Sequence, residues 1–261
     1  MLRLFFNRQW WWTTLLVLAA VAVMARLGIW QLDRLAQRRA FNARVTAQQA
    51  RPALVLDGAA LNEDLAAMEY RAVSVSGTYD HSQEVALRNQ VRDGQLGVHL
   101  LTPLLIAGTN QAILVDRGWV PEEQARPERR AQFAEPGLVT VRGVIRASQS
   151  RPDFGGVPDP ATAPGERLLT WNMANVERIA QQTNRPLLAA YIQQSPEAAW
   201  QGLPARSQPE LDLSEGPHLG YAVQWFVFAM VLALGYPRYV WRQSAGARSK
   251  ASALPYESFV C

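Results

Sequence analysis

Two long apolar runs, one near each end, constrain this 261-residue chain before anything else is packed. The first starts at Trp10-Trp11-Trp12 and continues to Trp30. At about 1.5 Å per helical residue its 20 steps cover roughly 30 Å, the thickness of a bilayer's hydrocarbon core. Tryptophan favours the membrane–water boundary and marks both ends of the run. Arg26 falls one turn before the far end, where a long side chain reaches the interface. Arg3 and Arg8, an apolar stretch and Val23-Met24-Ala25 also make the pattern of a cleavable signal peptide. The run is long for that, and its apolar character goes on through Leu27, Ile29, Trp30 and Leu32, so an uncleaved anchor is expected. The second run extends from Leu219 to about Val240, with Tyr221 and Trp241 repeating the 20-residue spacing. Gln224 is its strongly polar interruption, and Gly235 and Pro237 lie near its end, where a break is tolerated.

Charge is distributed unevenly around these runs. The net +4 divides into +3 for residues 1–32, −2 for 33–217 and +3 for 218–261. The part that would fold outside the membrane is slightly acidic, which argues against a nucleic-acid binder. Upstream of the second run lie Glu210, Asp212 and Glu215; downstream lie Arg238, Arg242, Arg248 and Lys250. The positive-inside rule places that end in the cytoplasm, and two spans return the N-terminus to the same side. The first run alone points the other way, since Arg34, Arg38, Arg39 and Arg44 follow it. The second run decides, because its flanks differ in sign. The expected organisation is a cytoplasmic N-terminus over 1–9, a first span over 10–32, an extracytoplasmic domain over 33–217, a second span over 218–240 and a cytoplasmic tail over 241–261. The sole cysteine, Cys261, ends the chain, so no internal disulfide forms and a loop free of thiols suits an oxidising compartment.

Between the runs the pattern changes period. After Trp30, good helix formers continue without Gly or Pro to Pro52, so the first helix is expected to run on to about Ala50. Strand signals follow at Tyr70–Gly77, Glu84–Asn89, Leu96–Ile106, Gln111–Trp119, Leu138–Arg146, Leu168–Trp171 and Leu187–Gln193. Ala107-Gly108-Thr109-Asn110 reads as a hairpin turn. Asn175–Gln182 reads as a short helix, and 121–136 and 147–167 as loops. The fold class is thus a membrane protein: two transmembrane α-helices flanking a mainly antiparallel β-rich (α+β) domain, a small barrel or a sandwich.

Signals for chemistry are sparse. There is no nucleophile elbow, no phosphate-cradling glycine loop and no Cys/His cluster. The acids are scattered, so nothing marks an enzyme. His81 in a turn and His99 in a strand read as ordinary histidines. His218 differs because it stands at the mouth of the second span. On a helix it shares a face with Tyr221, Ala222, Trp225 and Ala229. An imidazole, two aromatic rings and two small residues would suit a flat apolar ring with iron at its centre, since imidazole is a common axial ligand of haem. Small-residue faces also serve helix packing. Arg26, Trp30 and Arg34 stack at intervals of four on the first helix, with Gln31 between; they read as a carboxylate or phosphate contact, or as cation–π stacking. Arg117, Gly118 and Trp119 end a strand, either to bind something or to close a sheet corner.

Five short motifs occur in order: GIWQLDR (Gly28–Arg34), NQVRDGQLGVHLLTPL (Asn89–Leu104), LVDRGWVP (Leu114–Pro121), VRGVIR (Val141–Arg146) and HLGYAVQWF (His218–Phe226). In this order they resemble the Surfeit locus protein 1 family over nearly the whole chain. The resemblance implies an assembly factor, not an enzyme, for haem–copper cytochrome c oxidase. It would sit in a bacterial inner membrane with the central domain in the periplasm, and would aid maturation of the catalytic subunit. It implies haem a as a transiently bound cofactor, with His218 as axial ligand. Tyr221, Gln224 and Trp225 would shape the pocket, and Trp30, Gln31, Arg34, Arg117, Gly118 and Trp119 match the remaining motifs. Implied partners are the oxidase's catalytic subunit, a haem a synthase and membrane lipid, with no nucleic acid. Two departures stand out: Arg38 and Arg39 where the family commonly has a lysine, and Gln90 after Asn89 where it often has arginine. The alternative is a cofactor-free membrane scaffold that holds the nascent subunit.

Overall fold

The computed structural model describes residues 5, 7–152, 155–163 and 165–252, with side chains up to 245. Arg3, Asp153, Glu257 and Cys261 lie outside the described residues, as do the side chains of Arg248 and Lys250. The chain divides into two compact units, Met1–Asn42 with Leu213–Cys261, and Ala43–Asp212.

In the first unit, helix α1 (Trp11–Gln49) carries the first apolar run and continues as a polar helix, as its uninterrupted helix formers predict. Residues from Ala43 onward belong to the second unit. The second apolar run forms α4 (His218–Ser252), which passes Gly235 and Pro237 unbroken and runs beyond the expected end of the span. Both helices are long and apolar enough to cross a membrane, and only 11% of each apolar stretch is buried. The core helix of a soluble domain would be mostly covered, so these surfaces call for lipid.

The covered positions reveal how the two helices pair. On α1 the covered positions, with Ala20, Ala25, Leu27 and Phe41 beside them, include Thr14, Val17, Val21, Met24, Gly28, Gln31, Leu35, Arg38 and Asn42. Those intervals alternate three and four, the period of a left-handed coiled-coil seam. On α4 the matching positions are His218, Ala222, Trp225, Ala229, Leu232, Tyr236 and Val240. The pair is antiparallel: the Thr14 hydroxyl meets the Tyr236 hydroxyl at 2.7 Å at one end, and Gln31 meets His218 at 2.8 Å at the other. Gly28 sits under the Phe226 ring, and a Cβ there would lie 2.8 Å from it. Gly28→Val is therefore expected to wedge the helices apart and cost about 1–3 kcal/mol, the range for overpacking. Thermal unfolding of the full chain in detergent checks this, and an unchanged midpoint would mean the seam is loose.

The second unit is a β-barrel. Its strands are β1 (Leu54–Val55), β2 (Ala72–Tyr79), β3 (Val85–Arg92), β4 (Gln95–Ile106), β5 (Ala112–Pro121), β6 (Leu138–Ala147), β7 (Thr170–Trp171) and β8 (Leu187–Gln194). Neighbours run β1-β2-β6-β8-β5-β4-β3-β7, and β2 also pairs with β4, so β2, β6, β8, β5 and β4 close into a five-stranded ring. Most ring pairings are antiparallel; β5 with β8 is parallel. Of the two architectures expected, the barrel is the one formed. The two-residue β1 escaped the pattern analysis because it is too short to show alternation. In 121–136 the loop contains a four-residue helix α2 (Pro127–Arg130), whose proline stands in the first turn, where no backbone donor is needed.

Period-2 alternation decides what lies inside. Val73, Val75, Leu104, Ile106, Ile113, Val115, Val141, Ile145 and Ile192 fill the ring. Leu114, on the opposite face of β5, packs with Val85, Leu101, Trp171, Val176 and Ile179. Helix α3 (Val176–Ala180) covers that outer face; its N-cap is Asn175, whose side chain accepts the Arg178 N–H at 3.1 Å. β5 is thus buried on both faces along nearly its whole length, Asp116 and Arg117 included. Beyond the ring, β3 and β4 extend as an arm whose turn residues Asp93 and Gly94 both have positive φ, +50° and +76°, as a type I′ hairpin turn requires.

Candidate functional site

His218 is the first residue of α4, following Pro217, and it is half-buried. Its Nδ1 lies 2.8 Å from Gln31 Oε1. An amide oxygen only accepts, so Nδ1 is the donor of this contact and Nε2 is the ring nitrogen turned away from Gln31. Nε2 has no hydrogen-bond partner among the described residues. This is the arrangement in which a metal-binding histidine is oriented by a second residue behind it. An open recess of about 490 Å³ lies beside the ring, walled by Trp30, Arg34, Gln37, Arg38 and Phe41. The Arg34 guanidinium stands 5.7 Å from the Trp30 ring centre and donates to Gln37 Oε1 at 3.2 Å, so the cation–π reading of this pair holds. Arg38 lies at a similar distance from Phe41, 5.7 Å, and donates to the Ser214 carbonyl. The recess therefore joins aromatic walls, guanidinium groups and an imidazole whose Nε2 has no partner among the described residues.

The face read from spacing alone is divided by the structure. Ala222 and Ala229 are buried in the seam with α1, so the room they seemed to leave is taken by a helix. Trp225 is half-buried there, edge-to-face with Phe228. Tyr221 and Gln224 point outward and are exposed. Of the residues on the two spans, His218, Gln31, Trp30 and Arg34 are thus brought together; Tyr221, Gln224 and Trp225 are not part of the recess.

Arg117, Gly118 and Trp119 belong to the barrel unit and knit it together. Arg117 is fully buried. Its Nη1 donates to Glu84 Oε2 at 3.0 Å, Nη2 to Glu135 Oε1 at 2.9 Å and to the Phe133 carbonyl, and Nε to Glu135 at 3.3 Å; the guanidinium lies 5.0 Å from the Tyr79 ring centre. Every nitrogen is spent inside the fold. Burial pushes the Glu84 carboxyl upward, but hydrogen bonds from His81 and Thr102 and the Arg117 charge outweigh it and hold it below the usual range. Gly118 has φ +120°, and a Cβ there would lie 2.5 Å from the Ala205 carbonyl oxygen. Trp119 forms an antiparallel bridge with Ala205 and donates Nε1–H to the Gln90 carbonyl at 3.1 Å. These three close a corner of the sheet.

One pair was not read from the sequence. His99 Nδ1 lies 2.8 and 3.0 Å from the two carboxylate oxygens of Asp116. Burial pulls the imidazole down, but the Asp116 charge and hydrogen bond outweigh it, and the net shift is upward. The register of β4 on β5, with a bulge between His99 and Leu101, brings them together. A His and an Asp on neighbouring candidate strands were the signal available, and 17 residues of separation hid it.

The fold and the recess define a class: a membrane-anchored protein whose two apolar helices flank a closed five-stranded barrel, with a histidine held at the end of the helix pair. The SURF1 family model matches residues 18–230. A SURF1-like protein of Monosiga brevicollis is 33% identical over 254 residues, 91% of this chain and 90% of that protein. A SURF1-like protein of Caenorhabditis briggsae is 25% identical, covering 87% of this chain and 74% of its own length. Surfeit locus protein 1 of Homo sapiens is 28% identical over 178 residues, 62% of this chain and 56% of that protein. The chain belongs to the SURF1 family.

Proposed function

We propose that this chain is an assembly factor for haem–copper cytochrome c oxidase that binds haem a through His218 and passes it to the maturing catalytic subunit, without catalysing a reaction itself. Family membership supports the assembly role, through the resemblance set out above. The observation that carries the haem reading is the Nδ1 contact to Gln31, which leaves Nε2 free as a ligand. The residues present fit the group. His218 Nε2 would supply a lone pair to the iron, and Gln31 would hold the imidazole ring from behind. Arg34 would pair with a propionate carboxylate, and Trp30 and Phe41 would shield the ring from water. When bound, haem a supplies the redox iron that the client oxidase needs. Membrane lipid surrounds the two helices, and a haem a synthase is the expected donor. The charges flanking α4 support an inner-membrane protein with both termini in the cytoplasm and the barrel in the periplasm.

A second reading is favoured by the closed Ala222–Ala229 seam: a cofactor-free scaffold that holds the nascent subunit through its spans and barrel. Complementation separates the two. In cells lacking the gene, oxidase activity and oxidase-bound haem a are expected to fall, and the parent chain should restore both. His218→Ala, expressed to the same level, should restore neither. Full restoration by that variant would leave the scaffold as the function.

A further inference from the structure

We infer that the barrel unit carries a second site, independent of His218: a cleft that binds the oxyanion of a carboxylate- or phosphate-bearing ligand through His99, Arg146 and Tyr191. The cleft has a volume of about 630 Å³, within the size range of small-molecule sites. It lies between the β3–β4 arm and the segment that follows Arg206, and Trp119 forms part of its wall.

The inference rests on which polar atoms are already used. Asp116 is engaged: one oxygen accepts the Gly118 N–H at 3.0 Å, and both face His99 Nδ1. His99 therefore turns Nε2 away from its carboxylate, and that nitrogen has no partner among the described residues. Arg146, on β6, gives Nε to Glu69 at 3.4 Å and Nη1 to Gln193 at 2.8 Å, and its Nη2 has no partner among the described residues. Tyr191, on β8, lines the same cleft; burial pushes its hydroxyl up to about 12, so it stays a neutral donor. The buried carboxylate of the cleft, Asp116, is engaged, Glu210 also lines the cleft, and the donors left over on His99, Arg146 and Tyr191 converge as an oxyanion requires. Arg206, also in the wall, is committed elsewhere: it stacks 4.1 Å from the Trp200 ring centre and pairs with Glu135 at 3.1 Å. At the rim, Asp93 is paired with Arg92 at 3.6 Å.

The backbone adds a second observation. Tyr70, which lines the cleft, has φ +73°, a conformation that is rare and costly for a bulky side chain. The turn is held by its N–H donating to the Ile145 carbonyl at 2.8 Å, and it brings the ring over Arg146, 5.2 Å from the guanidinium. Such strain persists where the surrounding structure holds a side chain in place, and here the Tyr70 ring lies against the Arg146 guanidinium at the cleft.

The charges acting on His99 are Asp116 from β5 and Arg92 from β3, and Asp93, Arg146, Arg206 and Glu210 line the same cleft. The imidazole donates through Nδ1 in either protonation state, so Nε2 is the atom that titrates. Anion affinity should be full below the folded His99 pKa and fall as pH rises through it.

The test uses the full chain in detergent, labelled with ¹⁵N at histidine. The chain has three histidines, so His99 is assigned with His99→Gln. Titration with inorganic phosphate, and separately with acetate, is expected to move the His99 resonances and raise its pKa at millimolar anion; sodium chloride at equal ionic strength should do neither. Whichever anion acts at lower concentration identifies the ligand's group. Arg146→Gln should weaken binding about tenfold or more, and Arg146→Lys, which keeps the charge, less. Silence of His99 towards both anions, or an equal response in Arg146→Gln, would overturn the inference. Neither result bears on haem binding at His218.

Discussion

Replacing His218 by alanine is expected to remove haem a from the protein. In a titration of purified chain followed by visible absorption, the parent should bind one equivalent, and His218→Ala should lose affinity by more than the roughly 10–100-fold typical of removing a group that only orients a metal ligand. Gln31→Leu provides the finer measurement. It keeps the imidazole but removes the acceptor 2.8 Å from Nδ1. The ring is then free to turn and to place its proton on either nitrogen, so affinity should fall by about 10–100-fold, less than for the alanine variant. Equal losses in both variants would mean that Gln31 itself touches the ligand. Retention of haem by His218→Ala would mean the iron is held elsewhere. Tyr221 and Gln224 lie outside the recess, so conservative changes there should leave the titration unaltered.

The second large effect is expected in the barrel. Arg117→Met keeps a long side chain but leaves Glu84 buried without its cation, and breaking one partner out of a buried ion pair costs about 3–5 kcal/mol. Thermal unfolding of the full chain, followed by a signal from the β-domain, should show this loss. Arg117→Met with Glu84→Gln should recover part of it, because the orphaned charge is gone. pH supplies a further check. The folded Glu84 pKa lies below its unfolded value, so its contribution is present above the unfolded pKa of about 4.3 and is lost as pH falls through the depressed folded value. The parent should therefore lose stability in acid over that window, and Arg117→Met should lose less. If the substitution costs under about 1 kcal/mol, Arg117 does not hold the barrel together and its donors are available for a ligand.

Much of the architecture was legible because each element follows a local rule. Spans of 20 residues between aromatic anchors, helix formers continuing to Pro52, and alternation along β2 and β6 each announce themselves within a short window. Closure of the ring was not legible. It depends on β2 meeting β4 at Gly77↔Ile106 and Tyr79↔Leu104, a register set by the accumulated stagger of five strands. The site shows the same division. His218 was singled out by its place at the mouth of a span, but its partner Gln31 lies 187 residues away on another helix. The alanine face of α4 was real, yet periodicity does not distinguish a face that meets a ligand from one that meets a helix. Arg117 was ambiguous for a related reason, since Glu84 and Glu135 reach it from separate segments. His99 was set aside because a lone strand histidine is usually structural, and only the strand register reveals Asp116 beneath it.

The most direct measurement is the absorption spectrum of the full chain, purified in mild detergent from membranes of a host that makes haem a, with the His218→Ala chain prepared alongside. The account predicts haem a bands in the parent, approaching one pigment per chain on extraction, and their loss in the variant. Pigment absent from both, in a host where oxidase assembly still depends on the gene, would contradict it and leave a scaffold that carries no haem.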